Sequence, residues 1–292
     1  MRKITFLISL VLITVTTILS CDKDEETKPQ EKKLYPTSNI YYDQSEIDGK
    51  ATFEYDVNKR LSKINWGTNG DYYSQYEYNT DNELIKVVEY DNNEMCYYDS
   101  LEYNANGQLI KIYSYDFYNS KSESSKTHYI STFLGSSLES NFFDDKVKYF
   151  SETILNGWVT LEYNNEGFIT KTSGYSTTGI LTGYHINEYD DEGNITNEKF
   201  YWLDDSNVIN TNKYDEIICE YDDKINPFKY LNGAFLDGSA TNNVIKKTWI
   251  EHYGENYTDV STFTIEYNDD NYPLKIKLDG EDYHQVFEYT EL

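Results

Sequence analysis

The sequence predicts an all-β protein in which repeated antiparallel hairpins form one curved sheet, partly or fully closed into a barrel. Three observations support this prediction. The chain has 31 Tyr among 292 residues, and Tyr, Thr, Ile and Phe favour the half-buried surface of a sheet. Apolar and polar residues alternate in short segments, as in strands with one buried face. A Glu-Tyr-Asp/Asn motif recurs along the chain, and closure of the resulting sheet would remove its exposed edges.

The N-terminus has the layout of a secretory signal. Basic residues at Arg2 and Lys3 precede an apolar run, Ile4–Leu19, and Cys21 follows the small residue Ser20. The run is shorter than the roughly 20 apolar residues that a spanning helix requires. We therefore predict a signal peptide at residues 1–20.

Residues 18–21 (Ile-Leu-Ser-Cys) resemble the bacterial lipobox, which implies cleavage before Cys21 and lipidation of that cysteine. The following acidic segment, residues 22–26, resembles the export signal of Bacteroidota lipoproteins and implies an outer-membrane protein that faces the cell exterior. A plain charged linker is the alternative, and in enterobacteria Asp22 would instead imply retention at the inner membrane. The charged residues 21–37 predict a flexible tether, followed by one repeat domain, 38–292.

The net charge of the chain excludes one class of binding partner. The formal net charge is −26, and loss of Arg2 and Lys3 with the signal peptide makes it −28. An acidic body of this kind lacks the basic footprint that nucleic acids require, so we predict no nucleic-acid partner. Cys96 and Cys219 are 123 residues apart. They could form a disulfide in an oxidising compartment or remain as buried free thiols.

Each copy of the repeat reads as a β-hairpin. In most copies a Leu or Ile follows the motif Tyr by six residues, and a Lys follows it by eight. Asp or Asn at the first turn position and Gly three residues later specify a type I turn. The Gly position holds Gly107, Gly167 or Gly193, and elsewhere Asn82 or Asn271, the residues that best tolerate a positive φ after Gly. The motif tyrosines are Tyr55, Tyr78, Tyr103, Tyr163, Tyr189, Tyr221 and Tyr267, and Tyr289 belongs to a truncated eighth copy.

Charged residues predict the strand register. A four-residue loop would pair each motif Tyr with the residue seven positions later, and it would place each motif Glu opposite the Lys. Six of seven copies have that Lys, whereas Glu188 faces Asn197. The predicted pairs are Glu54–Lys63, Glu77–Lys86, Glu102–Lys111, Glu162–Lys171, Glu220–Lys229 and Glu266–Lys275.

The Tyr-Asp-x-x-Gly-x-Leu pattern resembles the YD repeats of Rhs-type bacterial surface and toxin-shell proteins, whose hairpins join into curling antiparallel sheets. Residues 221–228, 242–244 and 267–273 are similar to Bacteroidota surface lipoproteins with degenerate YD-like repeats, including domains of unknown function described as porin-like. The resemblance implies a surface-exposed repeat sheet. The copies lie 22 to 60 residues apart, which argues against a regular solenoid.

No catalytic motif is evident. The four histidines share no motif spacing, and we predict no metal site, no cofactor and no catalytic residue. Two carboxylates about 5 to 10 Å apart would suffice for a glycosidase, so a secreted hydrolase is a less favoured alternative. Acidic doublets such as Asp190–Asp191 match no calcium loop and are interpreted as turn residues.

Aromatic doublets are the remaining candidates for a site. Neighbouring residues such as Tyr72–Tyr73, Tyr97–Tyr98 and Tyr201–Trp202 must point to opposite faces of a sheet. One ring of each doublet would pack in the core while the other joins a cross-strand ladder, or the outward rings would bind a ligand. We predict a lipid-anchored binding or scaffold protein whose ligand is a glycan or a protein. The main alternative is a structural envelope lipoprotein without a small ligand, for which evenly distributed Tyr ladders are expected.

Overall fold

The structure, a computed structural model, describes residues 32–67, 70–117, 153–203, 208–231, 240–254 and 257–292. The predicted signal peptide, Cys21 and most of the tether lie outside these residues. The chain divides into two compact units, Met1–Lys32 and Lys33–Leu292, and the strands described below belong to the second unit.

The described residues of the second unit form sixteen strands. They are β1 (Tyr35–Asp43), β2 (Glu46–Tyr55), β3 (Leu61–Trp66), β4 (Tyr72–Tyr78), β5 (Leu84–Asp91), β6 (Glu94–Tyr103), β7 (Leu109–Phe117), β8 (Thr153–Tyr163), β9 (Ile169–Ser176), β10 (Leu181–Tyr189), β11 (Ile195–Trp202), β12 (Asp215–Tyr221), β13 (Val244–Glu251), β14 (Tyr257–Tyr267), β15 (Pro273–Leu278) and β16 (His284–Thr290). Each strand pairs with its sequence neighbour, and β1 pairs with β16 in antiparallel fashion. The sheet is therefore a closed barrel, which confirms the predicted fold class.

The repeat turns lie at one end of the barrel. They follow the even-numbered strands, and we call this end the turn end. Loops after the odd-numbered strands lie at the opposite end, the far end. Within the described residues, no helix combines the length and the apolar character that a membrane span requires.

The Asp or Asn of the motif organises each turn. The backbone oxygen of Asn104 accepts a hydrogen bond from Gly107 N (3.0 Å), and its side-chain Oδ1 accepts from Asn106 N and Gln108 N (2.9 and 3.1 Å). Gly107 has a φ of 75°, and Gly167 and Gly193 have φ values of 92° and 86°. Side chains accept in the same way at Asp56, Asn79, Asn164, Asp190 and Asn268.

The register prediction holds for the glutamates but is wrong for the tyrosines. Glu102 pairs with Lys111, whereas Tyr103 pairs with Leu109, six residues later, and the register shifts between the two pairs. The turn thus closes with the shorter loop, and a β-bulge at the extra residue restores the Glu–Lys pair. The predicted Glu–Lys pairs of the Glu54, Glu77, Glu162 and Glu266 copies are also present, and Glu188 faces Asn197.

Glu220 departs from the prediction, because it pairs with Lys246 and not with Lys229. Residues 222–243 separate β12 from β13 and take the place of a tight turn. In the described part of this insertion, the Phe228 ring lies 6.0 Å from Phe53 on β2 and 6.0 Å from Phe287 on β16. Asn242 Oδ1 accepts a hydrogen bond from Asn194 Nδ2 at the β10–β11 turn (2.9 Å). The insertion therefore reaches across the turn end of the barrel.

The two faces of the sheet differ in burial. Leu101 and Ile112 pair on one face and are 7% and 2% exposed, while the neighbouring Glu102 on the other face is exposed. In a closed sheet the buried face is the concave interior. Apolar core side chains fill it, among them Leu84, Val87, Leu101, Leu109, Ile112, Leu161 and Ile169. A second cluster combines Ala51, Phe53, Leu61 and Ile64 with Leu231 from the insertion.

Candidate functional site

The motif tyrosines join neighbouring hairpins at the turn end. The Tyr103 hydroxyl donates to the backbone oxygen of Leu84 (2.7 Å), which is the residue six positions after the preceding motif Tyr. Burial raises the pKa of the Tyr103 hydroxyl, which keeps the hydroxyl protonated as a donor. Equivalent hydrogen bonds run from Tyr55 to Pro36, Tyr78 to Leu61, Tyr163 to Leu109, Tyr189 to Ile169, Tyr221 to Ile195 and Tyr289 to Pro273. These hydrogen bonds connect each hairpin of the barrel to the one before it.

Tyr267 is the exception in this ring. The preceding copy has the insertion in place of a repeat turn, and the Tyr267 hydroxyl donates to the Asp222 carboxylate. Asp222 also accepts from Asn243 N (3.0 Å). A side chain thus replaces the missing backbone acceptor at this position.

The outer face carries a ladder of stacked aromatic rings. Tyr98 and Tyr115 stack with centroids 4.6 Å apart, and Tyr184 and Tyr201 stack at 4.7 Å. Two further hairpins contribute Tyr73–Tyr90 at 4.8 Å and Trp158–Tyr175 at 5.7 Å. The stacked partners occupy paired positions of successive hairpins. The four stacks lie on the four successive hairpins of β4–β11.

The repeat lysines extend this ladder. Lys86 on β5 lies 4.6 Å from the centroid of the Tyr98 ring on β6, and Lys63 lies 4.0 Å from the Tyr73 ring. The same relation joins Lys111 to Trp158 (4.6 Å) and Lys171 to Tyr184 (5.4 Å). Among the predicted Glu–Lys pairs, Glu162 and Lys171 form an ion pair at 3.0 Å. Each lysine therefore covers a ring of the following hairpin, a cation–π arrangement that the sequence did not indicate.

A buried acidic cluster lies inside β4–β7. The Asp99 carboxylate accepts hydrogen bonds from the Tyr97 hydroxyl (2.6 Å) and the Ser114 hydroxyl (2.7 Å), and the Glu89 carboxylate accepts from Tyr72. Burial raises the pKa of Asp99 to about 6 and that of Glu89 well above its ordinary value. Each acid is 2% exposed. The pair has the two carboxyl groups of a hydrolase, yet the packed wall excludes a substrate from both.

A second inner-face group, on β11–β14 at the far end, is accessible to solvent. It consists of Trp202, Asp215, Trp249, Glu251, Tyr253 and Tyr257, and we call it the far-end cluster. Trp202 contacts Tyr253 edge-on with centroids 5.7 Å apart, and Trp249 contacts Tyr257 edge-on at 6.0 Å. Trp202 is 39% exposed and Tyr257 is 50% exposed. The rings thus present apolar surface to the barrel interior.

Carboxyl groups stand beside these rings. Asp215 and Glu251 face each other across β12 and β13. Burial, followed by the nearby Glu251 carboxylate, raises the pKa of Asp215, and burial and Asp215 raise the pKa of Tyr253 to about 12. Hydrogen bonds from Trp249 and Tyr253 partly oppose the rise in the pKa of Asp215, whose Oδ1 atom is buried without a hydrogen-bond partner. The far-end cluster can therefore accept hydrogen bonds from a bound group.

Glu198 extends the acidic surface deeper into the barrel. It is 6% exposed, pairs with Ile217 on β12, and lies one inner-face position below Phe200, which pairs with Asp215. Burial raises the pKa of Glu198 to about 7, and Lys247 partly opposes this rise. On β10, Asn187 lies directly opposite Glu198, and its Oδ1 atom is buried without a hydrogen-bond partner.

The other candidates from the sequence are dispersed. His185 is buried inside, where burial lowers its pKa to about 3, whereas His252 contacts Glu216 on the outer face (2.8 Å). Cys96 and Cys219 are free thiols, and burial raises their pKa values to about 12 and about 11. Within the described ranges, no group of three or more His, Cys, Asp or Glu side chains is arranged to hold a metal ion.

Sequence reasoning found only one member of the far-end cluster, Trp202. Tyr72, Tyr97 and Trp202 point inward while Tyr73, Tyr98 and Tyr201 stack outside. The spacing of Trp249, Glu251 and Tyr253 is the signal that could have located the rest, because alternate residues share one face of a strand.

Comparison with known proteins supports the fold and leaves the activity open. No protein-family model matches the sequence, and no curated protein matches it. A porin-like protein from Bacteroides vulgatus aligns with 89% of this chain and 100% of its own, with a TM-score of 0.53 and 12% identity. A porin-like protein from Bacteroides uniformis gives a TM-score of 0.49 at 11% identity, over 87% of this chain and 96% of its own. The toxin complex TcdB2–TccC3 gives 0.27 at 12% identity, over 80% of this chain and 10% of its own.

At these identities the first likeness shows a shared fold alone, and the other two carry no argument. The chain is a closed antiparallel barrel similar in fold to porin-like proteins of Bacteroides. This confirms the expected likeness to porin-like domains at the level of fold.

Proposed function

We propose that this protein is a lipid-anchored barrel on the cell surface that binds a ligand at the far-end cluster. The observation that carries the proposal is the set of accessible Trp and Tyr rings beside the half-buried carboxyl groups of Asp215 and Glu251 on the inner face of β11–β14. Flat rings with convergent polar groups are the usual lining of binding sites for small molecules and sugars.

The outer face favours a barrel that lies in water and is attached to the membrane by a lipid over a barrel that is inserted in the bilayer. All eight motif glutamates are exposed on that face, from Glu54 to Glu288. Further along the strands, outward positions include Gln75, Lys199 and Glu216. A membrane barrel instead presents an apolar outer band, and a charged side chain there costs roughly 2 to 4 kcal/mol at the bilayer midplane. The wall therefore suits water, and a lipid at Cys21 would supply the attachment.

The packing at the turn end favours a barrel that retains a ligand over a channel that lets it pass through. Phe228 and Leu231 of the insertion pack against the inner faces of β2 and β3, and motif tyrosines surround them at the same end. A ligand that reached the far-end cluster would meet this apolar packing before it could cross the barrel. This geometry therefore favours a ligand that stays bound at the far end.

A structural spacer is the second candidate, because the outer aromatic ladder is distributed evenly over four hairpins. A spacer needs no accessible inner-face rings, so substitution of the far-end cluster separates the two functions. The carboxyl pair Glu89 and Asp99 is buried in the core, so this pair gives no support to a hydrolase.

Protease shaving of intact host cells and fractionation of Cys21→Ala test the location. We expect the wild type to be shaved while periplasmic proteins survive, and we expect Cys21→Ala to be recovered in the soluble fraction. Retention of Cys21→Ala in a carbonate-washed outer membrane would show that the barrel inserts by itself. Resistance of the wild type to protease until the outer membrane is broken would contradict surface display.

Binding is tested on the purified full chain with a glycan array and with tryptophan fluorescence. The double variant Trp202→Ala/Tyr257→Ala removes the exposed rings of the far-end cluster, and Trp158→Ala removes an outer-ladder ring as the matched control. We expect a bound ligand to be lost from the double variant and kept by the control. Equal binding by all three proteins would place the ligand elsewhere on the molecule.

A further inference from the structure

Charge on the barrel wall is separated by face. Lysines that pair across the hairpins, such as Lys63, Lys111 and Lys171, lie outside with the motif glutamates. The inner face of β5–β14 carries acids at positions fixed by the register, among them Glu89, Asp91, Asp99, Asp116, Glu198, Asp215, Glu251 and Asp259. Lys247 is the lysine that the described strands place on the same face. The inner face therefore carries many more acidic side chains than lysines.

The inner-face atoms Asn187 Oδ1 and Asp215 Oδ1, which are buried without hydrogen-bond partners, are both acceptors. Glu198 is more than nine-tenths buried on the inner face and lies opposite Asn187, with Lys247 as the nearby positive charge. Buried acceptors are normally satisfied. The missing partner is therefore a hydrogen-bond donor.

Register brings these acceptors into one patch. Asn187 is directly opposite Glu198, and Glu198 is diagonal to Asp215 across β11 and β12. Diagonal positions of an antiparallel pair are about 7 to 8 Å apart. Trp249 and Tyr253 donate hydrogen bonds to the Asp215 carboxyl group, which places both aromatic side chains beside it. Ring faces and carboxylates together are the surroundings that bind an ammonium group.

We propose that the far-end cluster and Glu198 bind an organic diamine, with one ammonium group at Asp215 and Glu251 and the second at Glu198 and Asn187. This inference rests on the proposed function and names its ligand class. The ammonium groups supply the donors that the buried acceptors lack, and their charge offsets that of the inner-face carboxylates. The spacing of the two acceptor groups suits an amine whose nitrogens are separated by four or five methylene groups.

Isothermal titration of the full chain, purified in detergent and in amine-free buffer, tests the inference. The probes are putrescine and cadaverine, with 1,5-pentanediol as an uncharged analogue of matched length and a neutral oligosaccharide as a glycan probe. We expect saturable binding of a diamine, no binding of the diol, and a loss of tenfold or more in Asp215→Asn and Glu198→Gln. Glu162→Gln on the outer face is the matched control and should bind within twofold of the wild type.

The outcomes separate the two proposals. Diamine binding that Asp215→Asn and Glu198→Gln leave unchanged, in proteins whose far-ultraviolet circular dichroism and melting match the wild type, would overturn the inference. Oligosaccharide binding that depends on Trp202 and Tyr257, without diamine binding, would overturn the ligand class and leave the proposed binding function standing. Absence of binding by every probe would overturn the diamine assignment, while the glycan array would continue to decide the binding function.

Discussion

The walls β5–β9 and β13–β15 face the same interior but exclude solvent to different degrees. Leu84, Leu109 and Ile112 are 1%, 4% and 2% exposed and belong to one core cluster. No residue of β13 or β14 is fully buried; the first four residues of β14 are all exposed, and the rest of β14 is exposed at every second position. The comparison indicates that one wall holds the fold together while the other leaves room for a ligand.

Truncation of one core residue in each wall should reveal this difference most strongly. Ile112→Ala removes a fully buried side chain, and we expect a loss of about 3 to 4 kcal/mol in the free energy of unfolding. Ile265→Ala on β14 removes a half-buried side chain of the same type and should cost less than half as much. Urea unfolding followed by circular dichroism measures both. Equal losses would mean that the two walls are equally packed.

Glu198 lies on β11, between the two walls, and makes stability depend on pH. Its pKa is about 7 in the fold and has an ordinary value of 4.5, so the unfolded chain loses this proton first as the pH rises. The contribution of Glu198 to stability should therefore be largest below about pH 4.5 and fall up to about pH 7. Glu198→Gln lacks this loss and should exceed the wild type by on the order of 3 kcal/mol at pH 8.

At pH 4 the wild type and Glu198→Gln should have the same stability, which provides the internal control. Thermal or urea unfolding at the two pH values measures the difference. An equal gain at both pH values would show that repacking, and not ionisation, explains the effect of the variant.

The motif tyrosines allow a regular turn to be compared with the inserted one. Tyr103→Phe removes a hydrogen bond to the Leu84 backbone oxygen and should cost about 1 kcal/mol. Tyr267→Phe removes a hydrogen bond to the Asp222 carboxylate and should cost about 2 kcal/mol, because the acceptor is charged. The midpoints of urea unfolding give the comparison. A larger cost for Tyr103→Phe would contradict the role assigned to Asp222.

Two turn glycines provide the smallest contrast. Gly167 and Gly193 both have positive φ. A Cβ atom added at Gly193 would lie 2.9 Å from Phe168 Cε1, whereas a Cβ atom added at Gly167 would have no other atom within 4 Å. Gly167→Ala should cost about 1 kcal/mol through backbone strain alone. Gly193→Ala should cost roughly 1 kcal/mol more. Equal melting temperatures for the two variants would show that the Phe168 ring moves freely.

Local patterns in the sequence predict the hairpins, but they do not predict the contacts between different hairpins. The Glu102–Lys111 pair follows from one turn and one alternation, so it was predictable. The hydrogen bond from Tyr103 to Leu84 joins different hairpins, and the bulge that shifts Tyr103 depends on backbone geometry inside the turn. Both effects depend on the positions of strands that no local pattern specifies.

The candidate site was less predictable than the fold for the same reason. Trp202, Asp215 and Trp249 come from three strands, and only the register of β11, β12 and β13 brings them together. The path of the insertion across the turn end likewise depends on Phe228 meeting Phe53 and Phe287 on distant strands. Strand order and closure had to be known before either feature could be recognised.

Hydrogen–deuterium exchange of the ligand-free full chain tests the division between the two walls most directly. We predict that the amides of β5–β9 exchange slowest and only through global unfolding, while those of β13–β15 exchange at least tenfold faster through local opening. Equal protection of both walls, or slower exchange in β13–β15, would contradict the assignment of stability to one wall and of the binding site to the other.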